Sequence, residues 1–488
     1  MNRRSFIRNI AIGSGALALS PFISSCRTNQ MIGYDEFINN LGQPPLINNQ
    51  NFTLAASSEN YIIGENYQIS GFQFNQSYPS PTIKCRHGDR IKAIFENQIG
   101  QDSIIHWHGL IVPPDMDGHP KDAISGGAYE YDFLINQRAG TYWYHPHPDR
   151  ITGDQVYKGL AGFFIVEDEE EKALDLPNGE FEIPLLIQDR RSTSSGEIVY
   201  DPSMHEQMMT GFLGDKVLIN GTPAAIKDVK KGMYRVRLLN GSNARIYNIA
   251  FQNQLPFTLI GGDGGLLPKA LEVDQLLLAP GERADILIDF SKFSQERASL
   301  VSLPFDIPSS GGMMNGMGNM MGGSSPEQGA SFKLMEFKII DERVGSIPEL
   351  PKELSVSTFP EEKDAALRRQ IDLNMQMMKG HTINGKQFEM NRVDLQVKQG
   401  QIEIWEFIND TPTPHPMHIH AIQFKVLDRS GSRGILPHET GWKDTVLVMP
   451  GEHVRVIMKF DAPKGMYVFH CHNLEHEDSG MMANYEIT

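Results

Sequence analysis

The sequence predicts an all-β protein built from several β-sandwich domains. Short strand-like segments alternate with turns rich in Gly, Pro and Asn, and few stretches keep a helical period. The length of 488 residues fits more than one domain, with three as the typical number at ~100–200 residues each. The apolar fraction of 40% is enough to fill the cores of such sandwiches.

Residues 1–25 are expected to be an export signal and not part of the fold. Arg3 and Arg4 belong to a segment that resembles a twin-arginine motif, and residues 10–23 form an apolar run too short for a permanent membrane helix. The signal ends on a sequence similar to a lipobox, so Cys26 is expected to be the acylated first residue of a lipoprotein. Cleavage without a lipid is the alternative. We therefore expect a periplasmic protein with a polar tether over residues 26–44.

Three blocks of strand-and-turn sequence follow, at residues 45–169, 180–343 and 367–488. In the first block, residues 88–91 and 139–144 have the strand edges and turns of a β-sandwich, and the acidic run 167–171 marks its end. The second and third blocks share an Ile-Asn-Gly turn, at residues 219–221 and 383–385. This repeat hints at duplicated domains.

The formal net charge of −16 argues against a nucleic-acid partner. Phosphate binding requires basic patches, and none is evident in the sequence. An acidic surface suits cationic substrates such as metal ions, although solubility explains the same charge equally well.

The segment 470–482 near the C-terminus contains a cysteine, several histidines and two methionines. A thiolate with two imidazoles and a distant thioether is the ligand set of a blue copper site. On a strand, residues alternate between the two faces, so His470 and His472 would point to one side and Cys471 to the other. One tripeptide could therefore serve two metal centres.

Most histidines lie in motifs of this kind. The other pairs are His106-Trp107-His108, His145-Pro146-His147 and His418-Ile419-His420, and His415 and His476 bring the motifs to ten of the sixteen histidines. A blue site would use His415, Cys471, His476 and Met481, with Met482 as the alternative to Met481. The remaining eight imidazoles suit a cluster of three copper ions, whereas a zinc site needs about four ligands in all.

These four motifs, in this order, resemble those of a multicopper oxidase. The resemblance is closest to the bacterial copper-efflux oxidases and runs from about residue 45 to the C-terminus. It implies three cupredoxin-like Greek-key domains, with a middle domain that spaces the other two. It also implies four copper ions: one type 1, one type 2 and two type 3. Implied type 2 ligands are His106 and His418, and implied type 3 ligands are His108, His145, His147, His420, His470 and His472.

The resemblance also implies roles for residues near these ligands. Cys471 would conduct electrons from the blue copper to the cluster, because it is covalently joined to two cluster ligands. Asp117 and Glu477 match the family's proton-relay acids, with a solvated or turn-forming carboxylate as the alternative for each. Trp442 and Asp444 are expected to orient the blue-site loop by packing and by hydrogen bonds to its ligands. The third cysteine, Cys85, is expected to be a core thiol, and the cysteine count leaves no structural disulfide.

The substrate is expected to be Cu(I), because two groups of methionines offer thioethers that favour cuprous ions. They are Met313, Met314, Met317, Met320 and Met321 in a Gly- and Ser-rich segment, and Met375, Met377 and Met378. A disordered lid or linker with incidental methionines is the alternative for the first group. The long Met- and His-rich insert of the copper-efflux oxidases is missing. A laccase-like oxidase of phenols or aromatic amines is therefore an alternative, as is a copper-binding resistance protein without turnover. We expect a monomer that uses O2 and a small reducing substrate.

Overall fold

The computed structural model of the protein describes residues 31–64, 67–308, 326–344, 350–376, 380–431 and 433–488, and it confirms the all-β prediction. Strands dominate, and the helices in these ranges are short. The α-helices are Thr152–Tyr157, Glu169–Lys172 and Leu474–Asp478, and a π-helix covers Glu206–Thr210. The 3-10 helices are Pro114–Met116, Pro120–Asp122, Gly179–Phe181, Phe290–Lys292, Glu362–Asp364 and Pro437–Thr440. Within the described ranges, none of the helices has the length and apolar character needed to cross a membrane.

The first block forms a sandwich of two sheets around its own core. One sheet has the strand order Leu46–Ile47, Thr82–Arg86, Gly162–Glu167, Gly140–Pro146 and Ile105–His108. The facing strands are Tyr67–Phe74, Asn51–Ile63, Arg90–Gln98 and Gly127–Leu134. Along one facing strand Ile91, Ala93 and Phe95 are buried while the residues between them are exposed. This period of two directs the apolar side chains into the core.

The second block forms another sandwich and shares a sheet with the first. Its own sheet has the order Asn39–Asn40, Ala225–Lys231, Phe332–Arg343, Arg297–Ser302, Tyr247–Phe251 and Gln275–Leu278. The shared sheet adds Gly265–Val273, Phe257–Gly262, Arg283–Asp289, Met233–Asn240, Glu182–Ser192 and Glu197–Val199, with the hairpin Lys216–Ile219 and Thr222–Pro223 alongside. The last strand of that order, Glu197–Val199, pairs with Tyr67–Phe74 of the first block. Backbone hydrogen bonds therefore join the two sandwiches.

The third block is a sandwich of two five-stranded sheets, as far as its described residues show. One sheet has the order Gly380–Ile383, Leu367–Gln376, Ile402–Asn409, His453–Lys459 and Phe424–Arg429. The other has the order Leu395–Val397, Met482–Ile487, Gly465–Cys471, His415–Ile419 and Thr445–Val448. Three separate apolar cores thus correspond to the three sandwiches expected from the sequence.

The two Ile-Asn-Gly segments adopt the same turn. Asn220 and Gly221 have φ angles of 48° and 70°, and Asn384 and Gly385 have φ angles of 52° and 74°. Two successive residues with positive φ match a type I′ turn, which favours Asn followed by Gly. The same turn thus occurs in both the second and the third sandwich.

Residues 31–44, which the sequence assigned to the tether, pack against the second sandwich. Asn39 and Asn40 pair in parallel with Ala225 and Ile226, and Phe37 is only 2% exposed. An apolar side chain gains stability when neighbouring side chains remove it from water. The described part of the expected tether is therefore attached to the fold.

Substituting Phe37→Ala is expected to loosen this attachment, because deleting a buried phenyl ring costs about 3 kcal/mol. Ile38→Ala is the matched control, since Ile38 is 63% exposed. Limited proteolysis followed by mass spectrometry should show faster cleavage within residues 31–44 only in the Phe37 variant. Equal cleavage rates in both variants would contradict this anchoring role.

Candidate metal centre

The histidine pairs of the first and third sandwiches meet at one place. In the first sandwich, His106 lies directly opposite His145 across two paired strands. In the third, His418 lies opposite His470. Strand alternation explains the directions, because Trp107, between two histidines, points into the core of the first sandwich. The imidazoles are thus left on the faces where the two sandwiches meet.

Eight imidazoles from these pairs form one fully buried cluster. Nε2 of His106 lies 3.3 Å from Nε2 of His418, which joins the two sandwiches. Nε2 of His470 lies 3.2 Å from Nε2 of His147 and 3.1 Å from Nε2 of His420. The members, each at most 1% exposed, are His106, His108, His145, His147, His418, His420, His470 and His472. Three-histidine groups within this cluster have donor atoms within 4.8 Å of one another.

Most of these rings are oriented by an oxygen at Nδ1. Nδ1–H of His106 donates to the carbonyl oxygen of Asp117 at 2.7 Å, and that of His418 donates to the carbonyl oxygen of Asp444 at 2.8 Å. Nδ1 of His145 likewise contacts the carbonyl oxygen of Pro146 at 2.8 Å. A proton fixed on Nδ1 leaves the lone pair on Nε2, which faces the interior of the cluster.

His108 is turned the other way. Its Nε2 lies 3.1 Å from Oδ1 of Asp444, and its Nδ1 has no hydrogen-bond partner. Nδ1 is therefore the ring nitrogen of His108 that is free to bind a metal ion. Asp444 thus contacts two cluster histidines through different atoms.

Asp444 thus supports cluster histidines, a contact that the sequence did not indicate, and its expected role in orienting the blue-site loop stays a prediction. The carboxylate is fully buried and pairs with both terminal nitrogens of Arg283, which belongs to the second sandwich. Gly109, with φ of 90°, permits this approach, because a Cβ there would lie 2.6 Å from Oδ2 of Asp444. The second sandwich therefore supports the cluster through an ion pair, beyond the spacing role expected for it.

The chemistry of the cluster is that of a metal-binding site and not of an ordinary protein core. Buried ring nitrogens without any hydrogen-bond partner occur on His108, His145, His147 and His472. Such orphaned polar atoms are costly unless something binds them. Burial is also the main cause that lowers the pKa of these rings, to about 3 for His145. The neutral imidazole that results is the form that binds metals.

The second metal site surrounds Cys471. Its Sγ lies 3.4 Å from Nδ1 of His415 and 3.8 Å from Nδ1 of His476, and these two Nδ1 atoms are 3.2 Å apart. Burial raises the pKa of the Cys471 thiol, so a thiolate here needs a bound cation. Met481 is fully buried in the same core as Cys471, and its carbonyl oxygen accepts from the Cys471 amide at 3.0 Å. Met482 packs in a different cluster.

Outer hydrogen bonds leave the correct ring atoms free at this site. The Thr411 hydroxyl donates to Asn409 and accepts from Nε2–H of His415 at 2.7 Å. Nε2–H of His476 donates to the carbonyl oxygen of Met209 at 3.2 Å. Both histidines therefore present the Nδ1 lone pair to Cys471.

A third imidazole, His381, lies at this site and was not expected from the sequence. Its ring centroid is 3.9 Å from that of His476, and Nε2–H donates to the carbonyl oxygen of Met208 at 3.1 Å. It lies on the strand Gly380–Ile383, which leads into the second Ile-Asn-Gly turn, and Met375 lies opposite it on the paired strand Leu367–Gln376. The turn was recognised in the sequence, but nothing there indicated where this histidine points.

The two expected proton-relay acids both lie against cluster histidines. Oδ2 of Asp117 is 2.8 Å from Nδ1 of His420, and its Oδ1 has no partner. Burial raises the pKa of Asp117 well above its usual range. Oε2 of Glu477 is 2.9 Å from Nδ1 of His470, and Oε1 is 3.6 Å from Nε2 of His147.

The methionines expected to bind substrate fall mostly beyond the described ranges. Met375 is half-buried at the end of its strand. Cys26 and the following methionines lie outside the described residues: Met313, Met314, Met317, Met320, Met321, Met377 and Met378.

The chain matches the multicopper oxidase family in three stretches, residues 56–171, 186–302 and 362–488. It is 32% identical to multicopper oxidase mco of Staphylococcus epidermidis, over 90% of this chain and 89% of that protein. It is 31% identical to a laccase of Bacillus subtilis, over 85% of this chain and 90% of that protein.

Among solved structures, the chain is similar to the McoA multicopper oxidase of the hyperthermophile Aquifex aeolicus. The identity is 39%, the TM-score is 0.82, and the match covers 92% of this chain and 99% of that chain. The three-sandwich architecture thus matches that of a solved multicopper oxidase over most of its length.

Asp444→Asn is expected to weaken copper binding in the eight-histidine cluster by about 10- to 100-fold, because contacts that orient ligands have that effect. It also removes one of the two buried carboxylates that pair with Arg283, the other being Asp263. Metal analysis should show less copper per chain, while the visible absorption from Cys471 persists. Asp428→Asn, which removes the partly exposed partner of Arg455, is the control. A full copper content in the Asp444 variant would contradict the orienting role.

Proposed function

Because the chain belongs to the multicopper oxidase family, we propose that it oxidises Cu(I) at a type 1 copper and reduces O2 to water at a three-copper cluster. The observation that carries the proposal is the geometry of one tripeptide. Sγ of Cys471 faces His415, while the next residue back, His470, faces the eight-histidine cluster.

The ligand assignment gives four copper ions per chain. His415, Cys471, His476 and Met481 would hold the type 1 ion. His106 and His418 would share the type 2 ion, in keeping with their close Nε2 atoms. The type 3 pair would take the other six, among which His147, His420 and His470 form one compact donor group. These ions would supply the four one-electron transfers that the reduction of dioxygen requires.

Cys471 would connect the two centres. It is bonded through the backbone to His470 and His472, so electrons can pass from its sulfur to the cluster along covalent bonds. The alternation of side chains on the strand Gly465–Cys471 is what separates the sulfur from the imidazoles. The register of one strand therefore positions both the type 1 site, which would accept electrons from the substrate, and the covalent path from that site to the cluster.

Asp117 and Glu477 would supply protons. Burial raises the pKa of Asp117 well above its usual range, which favours the protonated form of that carboxyl. Its contact with His420 places this proton at the edge of the cluster. Glu477 contacts His470, the residue before Cys471 in the sequence, and approaches His147.

Cu(I) is favoured as the substrate by thioethers near the type 1 site. Met375 lies across from His381, which contacts His476. Ile307 and Gln328, which flank the Met-rich segment in the sequence, line a cavity of about 110 Å³ next to the His415 loop. A role in copper tolerance would follow. A laccase-like oxidase of phenols is the second candidate, favoured by the missing Met- and His-rich insert.

A copper-binding protein without turnover is the other alternative. This chain keeps all ten histidines, Cys471 and Met481, which binding alone does not require. We also propose export by the twin-arginine signal to the periplasm and a lipid anchor at Cys26. Because both metal sites are built from one chain, a monomer suffices.

Cys471→Ser is expected to abolish the blue absorption and the oxidase activity and to remove one copper ion per chain, because the hydroxyl does not replace a thiolate ligand. The matched control is Cys85→Ser, a buried thiol in the core of the first sandwich. Visible spectra, metal analysis and oxygen uptake would be compared. A blue, active Cys471 variant would refute the assignment.

Deleting residues 311–323 is expected to lower the ratio of Cu(I) to phenol oxidation, because the segment contributes thioethers only to the cuprous substrate. A full-length variant in which the five methionines of this segment are changed to serine controls for the shortening of the chain. Steady-state kinetics with both donors provide the measurement. Equal losses for both donors would argue against a copper-gathering role and in favour of a laccase-like oxidase.

A further inference from the structure

Residues 203–210 of the second sandwich lie directly on the type 1 site. Two consecutive carbonyl oxygens of this segment accept hydrogen bonds from imidazoles: Met209 from His476 at 3.2 Å and Met208 from His381 at 3.1 Å. His476 is a proposed type 1 ligand. The segment is therefore one hydrogen bond away from that centre.

The same segment carries three thioethers and an exposed imidazole within six residues. Residues 204–210 are helical, so Met204 and Met208, four residues apart, share one face. Met204 is 77% exposed, and Met208 and Met209 are half-buried. His205 is exposed beside them. These side chains are accessible from solvent and do not serve the packing of a core.

The segment is held firmly despite its exposed face. Glu206 forms an ion pair with Arg191, and its carboxylate also accepts from the amide of Ser203 at 2.8 Å. The last turn, Glu206–Thr210, is a π-helix, an arrangement that occurs often at functional sites. Met209 also lines the 110 Å³ cavity beside Pro414.

Residues that cover His476 limit which electron-donating substrates can reach it. Its ring is fully buried, and the carbonyl of Met209 occupies its outer nitrogen. A bulky phenol therefore has no bare imidazole edge to contact. A small cation held on the outer face of the segment can approach without displacing this cover.

We propose that Met204, Met208 and Met209, with His205, form the docking site for the cuprous substrate. This proposal rests on the proposed Cu(I) oxidase function. Thioethers bind Cu(I) in preference to harder ions, so the ion loses affinity for the three methionines once it is oxidised. Each Cu(I) gives up one electron and leaves as Cu(II), and O2 is the final acceptor. The hydrogen bond from His476 to Met209 is the link across which the electron passes.

The test compares wild-type holoprotein with the double variant Met204→Leu and Met208→Leu, which keeps side-chain size but removes two sulfurs. The matched control is Met233→Leu, because Met233 is half-buried and packs against an apolar cluster of the same sandwich. Titration calorimetry with Ag(I), a redox-inert probe for Cu(I) sites, gives the number of bound ions. Steady-state kinetics give the KM for Cu(I), and visible spectra report the type 1 centre.

The double variant is expected to bind one Ag(I) fewer per chain and to show a KM for Cu(I) raised about tenfold, with the blue absorption retained. The control should behave as wild type. An unchanged Ag(I) count and KM in the double variant would overturn the docking site and leave the Cu(I) oxidase function standing. Wild-type protein that oxidises phenols but not Cu(I) would overturn both.

Discussion

The period of two along one strand is the constraint on which the metal centres depend. At the end of Gly465–Cys471, this period turns His470 toward the first sandwich and Cys471 into the core of the third. A shift of register by one residue would exchange the two sides and destroy both sites at once. The register is well fixed, because the strand pairs on both sides, with His415–Ile419 and Met482–Ile487.

Burial changes the protonation of the side chains in both groups of candidate ligands. It removes the histidines from water, which keeps the imidazoles neutral and ready to bind metal, and it leaves several ring nitrogens without a protein partner. The same burial raises the pKa of the Cys471 thiol and of the Asp117 carboxyl. A bound cation would lower the pKa of the Cys471 thiol again. The raised pKa of Asp117, in contrast, provides a carboxyl that can hold a proton beside the cluster.

The second sandwich takes part in both sites although it carries no histidine pair. On one side, Arg283 fixes Asp444 against two cluster histidines. On the other side, the carbonyl oxygens of Met208 and Met209 accept hydrogen bonds from the outer nitrogens of His381 and His476, next to Cys471. The second sandwich therefore orients histidines that belong to the first and third sandwiches.

The sequence by itself determined the fold class, the clustering of histidines and the opposite directions of His470 and Cys471, because strand alternation and ligand chemistry act over a few residues. Only the tertiary structure decided that Asp444 serves the cluster, that His381 contacts His476 and that residues 31–44 join the second sandwich. Arg283 and Asp444 are 161 positions apart, and such contacts arise from how whole sandwiches pack. No local pattern encodes that packing, so spacing alone could not reveal it.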